Sequence, residues 1–212
     1  MVKLSSTEEE YTEFLSSLWD RYKFLLLLSV VLIAGGVVGW DAWTKNQAQN
    51  LQASSDLYEE FIDSLNKEDL DEKLVAEQII KEYPNTLYAD LVSFHLAKIY
   101  VETNDLTSAE KNLKWILSRH EKKWGSNFNP IELTARTRLA RVLLANDDPN
   151  QALEVINKST DKNSALYEVK GDAEELLGKF DEARLSYLKA LESTQNQSTR
   201  ALLQMKLSSL EG

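Results

Sequence analysis

Residues 24–43 read Phe24-Leu25-Leu26-Leu27-Leu28-Ser29-Val30-Val31-Leu32-Ile33-Ala34-Gly35-Gly36-Val37-Val38-Gly39-Trp40-Asp41-Ala42-Trp43. No charge interrupts the run from Phe24 to Trp40, and a helix over the whole stretch would rise about 30 Å, the thickness of a bilayer core. Trp19 and Tyr22 precede it and Trp40 and Trp43 close it, which is where amphipathic rings sit at the headgroup level. Arg21 and Lys23 lie directly before the run, whereas only Lys45 follows it before Lys67. That bias places the N-terminus in the cytoplasm and the rest of the chain across the membrane. A cleaved signal peptide would begin with a short basic region and end at small residues. Here the leading segment carries Glu8, Glu9, Glu10, Glu13 and Asp20, and bulky rings occupy the far end, so the stretch is expected to be an uncleaved anchor. A buried helix of a soluble core would rarely run beyond about 14 residues without a polar position.

Working outward, residues 1–23 form an acidic tail in which Tyr11, Phe14, Leu15, Leu18, Trp19 and Tyr22 recur at helical spacing. This suits an amphipathic lead-in to the span, or equally a solvated tail, because so short a helix is marginal unless its apolar face is covered. Inside the span, Gly35 and Gly39 form a G-x-x-x-G pair. Such a pair lets a second helix approach closely in lipid, or is simply tolerated there.

The chain has 212 residues, a formal charge of −10 and no cysteine. Disulfides, thiolate metal sites and a cysteine nucleophile are therefore excluded. No dense Lys/Arg cluster follows the anchor, which argues against nucleic acid or anionic lipid as the main partner.

Beyond Thr44 the pattern stays helical, with Leu51, Tyr58, Phe61, Ile62 and Leu65 read as one face. Asn66 to Asp71 reads as a polar turn. A second helix carries Val75, Ala76, Ile79, Ile80 and Tyr83 and ends at Pro84. A succession of helical hairpins follows. Thr107-x-x-Glu110 has the form of a capping box, Asp148-Pro149 puts a cap before a first-turn proline, and Gly178 and Asp181 separate two helices. The expected fold is all-α: tail 1–23, transmembrane anchor 24–43 and a helical domain 44–212.

Gly171-Asp172, Gly178-Lys179-Phe180, Ala183, Tyr187 and Ala190-Leu191 together resemble the tetratricopeptide repeat, a helical hairpin of about 34 residues. The resemblance implies that Gly171 and Ala183 let the two helices meet and that Phe180 and Tyr187 fill the space between units. The same frame finds Leu96-Ala97, Tyr100, Leu106, Ala109 and Leu113, then Leu139-Ala140, Leu143, Ala152 and Ile156. Ala109, Ala152 and Ala183 are separated by 43 and then 31 residues. The first interval is stretched by an inserted loop from Lys122 to Pro130. Residues 51–84 read as a degenerate first hairpin and Thr199 to Leu210 as a terminal cap helix, giving a solenoid of four hairpins with a peptide-sized groove.

No P-loop, G-x-S-x-G or H-E-x-x-H occurs, and His95 and His120 lie on separate predicted helices. Asp147-Asp148 and Glu174-Glu175 are adjacent pairs that do not face one another on a helix, so turn and solvated surface account for them. The reading is therefore non-enzymatic, with no catalytic, metal or cofactor residues. Trp124 and Phe128, large rings in a polar loop, are candidates for partner contact; a local lid over the repeat junction is the alternative.

The anchor closing in Gly39-Trp40-Asp41-Ala42-Trp43, Asn85-Thr86-Leu87-Tyr88 leading into Leu96-Ala97, Arg138-Leu139-Ala140-Arg141-Val142 and Met205-Lys206-Leu207 resemble the YfgM-like ancillary subunits of the SecYEG translocon over nearly the whole chain. The resemblance implies a bacterial inner-membrane protein with a cytoplasmic N-terminus and a periplasmic repeat domain. It also implies partners: the SecYEG translocon, the membrane-anchored chaperone PpiD and unfolded secreted chains, which the protein would help pass to periplasmic chaperones. The competing reading is a tethered repeat scaffold for another envelope complex.

Overall fold

A computed structural model of the chain describes residues 6–65, 72–120 and 129–210, with the backbone alone at 6–10. The expected polar turn at 66–71, and the inserted loop apart from Asn129 and Pro130, lie outside the described residues. The described residues are helical, with no strand, and the chain divides into two compact units, Met1–Ala53 and Ser54–Gly212.

Helix α1 (Ser6–Ser64) contains the opening stretch. Every large apolar side chain between Phe24 and Trp43 is exposed, and the apolar window is unburied along its length. A soluble core helix of this composition would be covered by protein. A bilayer is the solvent that suits these side chains, and α1 is the one helix among the described residues long and apolar enough to cross one.

The second unit takes in the end of α1 and helices α2 (Glu72–Glu82), α3 (Leu87–Glu102), α4 (Leu106–His120), α5 (Pro130–Ala145), α6 (Pro149–Asn157), α7 (Ser164–Leu176), α8 (Phe180–Glu192) and α9 (Gln197–Ser209). Each helix packs on the next from α2 onward, and α5 also meets α3 and α7. Phe61 joins Val75, Ala76, Ile79, Ala89, Val92 and Leu96 in one core cluster, so the end of α1 shares a core with α2 and α3. The largest cluster runs from Ala97 through Leu113, Leu139, Leu143 and Ile156 to Val169 and Ala173. Leu203 of α9 covers Ala183, Tyr187 and Ala190, as a terminal cap should.

The repeat frame is visible in the backbone. Asn104, Asp147 and Gly178 all adopt positive φ (59°, 58° and 71°), two residues before α4, α6 and α8 begin. At each turn the next residue donates its N–H to a carbonyl five residues back: Asp105 to Tyr100 (2.7 Å), Asp148 to Leu143 (2.9 Å) and Lys179 to Glu174 (2.9 Å). This is a Schellman closure, made by a left-handed residue just past the end of a helix. These residues are spaced as Ala109, Ala152 and Ala183 are, and those three alanines are completely buried.

Several details differ from the sequence reading. Asp105, not Thr107, caps α4, accepting from the Ser108 N–H at 3.0 Å; Thr107 sits inside the first turn. Asp148 is the expected cap of α6, accepting from the Gln151 N–H at 3.0 Å before Pro149. Asp181 lies in the first turn of α8, so Gly178 alone makes the break. The face of α1 that enters the core is Ser54, Tyr58, Phe61 and Ser64, while Leu51, Ile62 and Leu65 are exposed. Ile62 follows Phe61 by about 100° around the helix and so turns away from the core.

At the last hairpin, Gly171 makes room for Tyr187 rather than for Ala183: a Cβ at Gly171 would overlap the Tyr187 ring. Phe180, expected between units, is exposed, because α9 packs over Ala183, Tyr187 and Ala190 instead. Arg200 fastens α9 by donating to the Leu191 carbonyl at 2.9 Å and the Thr194 carbonyl at 3.2 Å.

Candidate functional site

The repeat unit contains a groove of about 390 Å³ between α3 and α5, the first helices of successive hairpins. Helical spacing builds it. Phe94, Ala97 and Val101 recur at three and four residues on α3, Arg138, Arg141, Val142 and Ala145 do so on α5, and Leu106 and Leu113 of α4 form the floor. The volume is in the range of small-ligand and side-chain pockets, roughly 300–1,000 Å³.

Its charges are Lys98, Arg138 and Arg141 against a single carboxylate, Glu102. Arg138 lies over the Phe94 ring, 4.7 Å from its centroid. Arg141 reaches Glu168 at 3.5 Å with half its side chain exposed, and Lys98 stands 3.6 Å from Glu102. An apolar floor under a cationic rim can hold a peptide segment, with side chains below and polar groups above.

The residues proposed from sequence fall elsewhere. Gly35 and Gly39 occupy one face of α1, and a Cβ added at either would meet nothing within 4 Å, so the notch is open in the single chain. Trp124 and Phe128 lie outside the described residues.

The histidines belong to structural networks. His95 stands edge-on to Phe61, with centroids 5.1 Å apart, and 3.8 Å from Glu72. His120 Nε2 is 2.8 Å from the buried Asp90 carboxylate, which also accepts from Arg119 at 2.5 Å and thereby ties α3 to the end of α4. Asn129 completes this junction: its side-chain Oδ1 accepts from the Ile131 and Glu132 N–H groups, which turns its side-chain Nδ2 to His120 Nδ1 at 3.1 Å.

Glu174 is not the solvated acid expected. It is buried, accepting from the Ser186 hydroxyl at 2.5 Å and lying 3.2 Å from Lys170. Glu175 and Asp172 both face the Tyr187 hydroxyl, at 2.7 and 2.8 Å. Burial, then these two carboxylate contacts, push the Tyr187 phenol far above its usual range. Among the described residues no group of three or more His, Asp and Glu is placed to hold a metal ion.

Sequence reasoning missed the groove residues Lys98, Arg138 and Arg141. Their signal was present: Arg138 and Arg141 are the polar positions flanking the core pair Leu139-Ala140, so the repeat frame already assigns them to the face beside the core.

Comparison with known proteins agrees with this architecture. A family model described as a tetratricopeptide repeat-like domain matches residues 16–212, which takes in the anchor as well as the hairpins. The ancillary SecYEG translocon subunit of Aggregatibacter actinomycetemcomitans is 29% identical over 96% of this chain and 97% of its own length. Its namesake from Haemophilus influenzae is 26% identical over 97% of this chain and 98% of that protein. The one from Neisseria gonorrhoeae is 26% identical over 96% and 97%. The chain therefore belongs to the tetratricopeptide repeat-like domain family, and its likeness to ancillary SecYEG translocon subunits runs from end to end.

Proposed function

We propose that this chain is a single-span accessory subunit of the SecYEG translocon. Residues 1–23 lie in the cytoplasm, 24–43 cross the inner membrane, and 44–212 stand in the periplasm as a protein-binding domain. The observation that carries the proposal is the full-length likeness to proteins named for that role, anchor included. The span supplies a membrane partner surface through Gly35 and Gly39, where missing side chains permit close helix approach. The α3–α5 groove supplies a second surface, for segments of unfolded secreted chains or of a membrane-anchored chaperone of the PpiD type. Together they would help hand secreted chains to periplasmic chaperones. The chemistry required is binding, which the groove offers, and not catalysis.

Affinity purification of the tagged full-length chain from mildly solubilised membranes tests this. Recovery of SecYEG subunits is expected. Recovery of another envelope complex without them would establish the tethered-scaffold reading instead.

A further inference from the structure

We infer that the α3–α5 groove selects its occupant by a carboxylate: an extended peptide segment whose apolar side chains lie on the groove floor beside an acidic residue held by Arg138 and Arg141. This rests on the reading of the groove as a peptide site.

The chain as a whole carries a charge of −10, yet the groove bears three cations and one acid. A cationic rim in an acidic protein is a local field and not a general surface property. The two arginines are also differently engaged. Arg138 lies over Phe94, and among the described residues it has no carboxylate partner. A guanidinium stacked on a ring keeps its N–H edge in plane, and that edge suits bidentate capture of a carboxylate. Arg141, one turn further along α5, makes only a long contact with Glu168, 3.5 Å, from a half-exposed position. It can turn to a ligand without leaving the buried Glu168 carboxylate unpaired, because Lys206 also holds Glu168, at 3.2 Å. Lys98 is opposed by Glu102 on its own helix, so the uncompensated charge belongs to α5. Below these groups, Ala97, Val101, Leu106, Leu113 and Val142 offer no polar side chain, so a segment without apolar residues would gain nothing there. Charge complementarity over an apolar floor therefore points to an acidic and apolar peptide.

The test uses the full-length chain in nanodiscs of zwitterionic lipid and two dansyl-labelled decapeptides. One alternates leucine and glycine around two glutamates; its twin carries glutamine at those places. The glutamate peptide should bind about tenfold more tightly at low salt, as charge-assisted hydrogen bonds allow, and the advantage should shrink as salt rises. Arg138→Gln with Arg141→Gln should abolish the difference between the two peptides. Val101→Trp, at a half-exposed position of the floor, should weaken both peptides without unfolding the domain. Equal binding of the two peptides by the native chain would overturn the carboxylate selection and leave the groove reading standing. Binding of neither peptide, or binding indifferent to Val101→Trp, would overturn the groove reading and this inference with it.

Discussion

Gly171 and Tyr187 interlock at the last hairpin: the ring fills the space a side chain on α7 would need, and its hydroxyl reaches Asp172 and Glu175 on that same helix. Gly171→Ala should destabilise the protein by about 1–3 kcal/mol, the ordinary range for overpacking, read by chemical denaturation. The Tyr187 phenol is raised by burial and by the two carboxylates, so the folded state resists its ionisation. Stability from this group is complete below the ordinary tyrosine value of 10.0 and is lost as pH rises past it. Tyr187→Phe should flatten the alkaline fall in melting temperature; an unchanged alkaline limb would contradict the assignment. At this scale the sequence was legible where a position admits only a small residue, as at Ala109, Ala152 and Ala183. It was not legible where exposure depends on what packs next, as at Phe180, nor where a partner lies about one hairpin away, as with Asp90 and its contacts to Arg119 and His120.

The three hairpins α3–α4, α5–α6 and α7–α8 each turn through a left-handed residue and a Schellman closure, and the helix that follows needs its own cap. Glycine is the usual signal for such a turn, which is why Gly178 was recognised while Asp147, doing the same work, was read only as turn or solvated surface and Asn104 was not singled out. The cap of α4 was misplaced for a related reason: Thr107 and Glu110 have capping-box spacing, but the turn at Asn104 lets the helix begin earlier, at Leu106, with Asp105 as its cap. The Ser108 hydroxyl and then its N–H hold the Asp105 carboxyl below its ordinary value of 3.8. A lowered value means that its contribution is present above that pH and is lost as pH falls through the folded value. Asp105→Asn keeps a capping oxygen and removes the titration. Its melting temperature should fall less steeply below about pH 4 than that of the native chain, since that is where a free aspartate begins to protonate. An equally steep fall would show that the cap charge is not involved.

The whole molecule joins an apolar segment of α1 to a stack of hairpins whose core is built locally, each helix packing on the next from α2 onward. The anchor and the stack were both legible, because a run without charge and a recurrence of small residues are patterns of period and not of distant contact. The groove was not, since it forms only when α3 and α5 are placed side by side across α4. Everything proposed for function depends on which side of the membrane that groove faces. The absence of native cysteine makes this directly measurable with single introduced thiols at Ser6→Cys in the tail and Gln195→Cys, an exposed position between α8 and α9 that spares the Asn196 cap. A membrane-impermeant thiol reagent is applied to cells with a permeabilised outer membrane. Labelling at 195 with protection at 6 is the predicted result. Labelling at 6 with protection at 195 would contradict the orientation, and with it any contact between the groove and chains leaving the translocon.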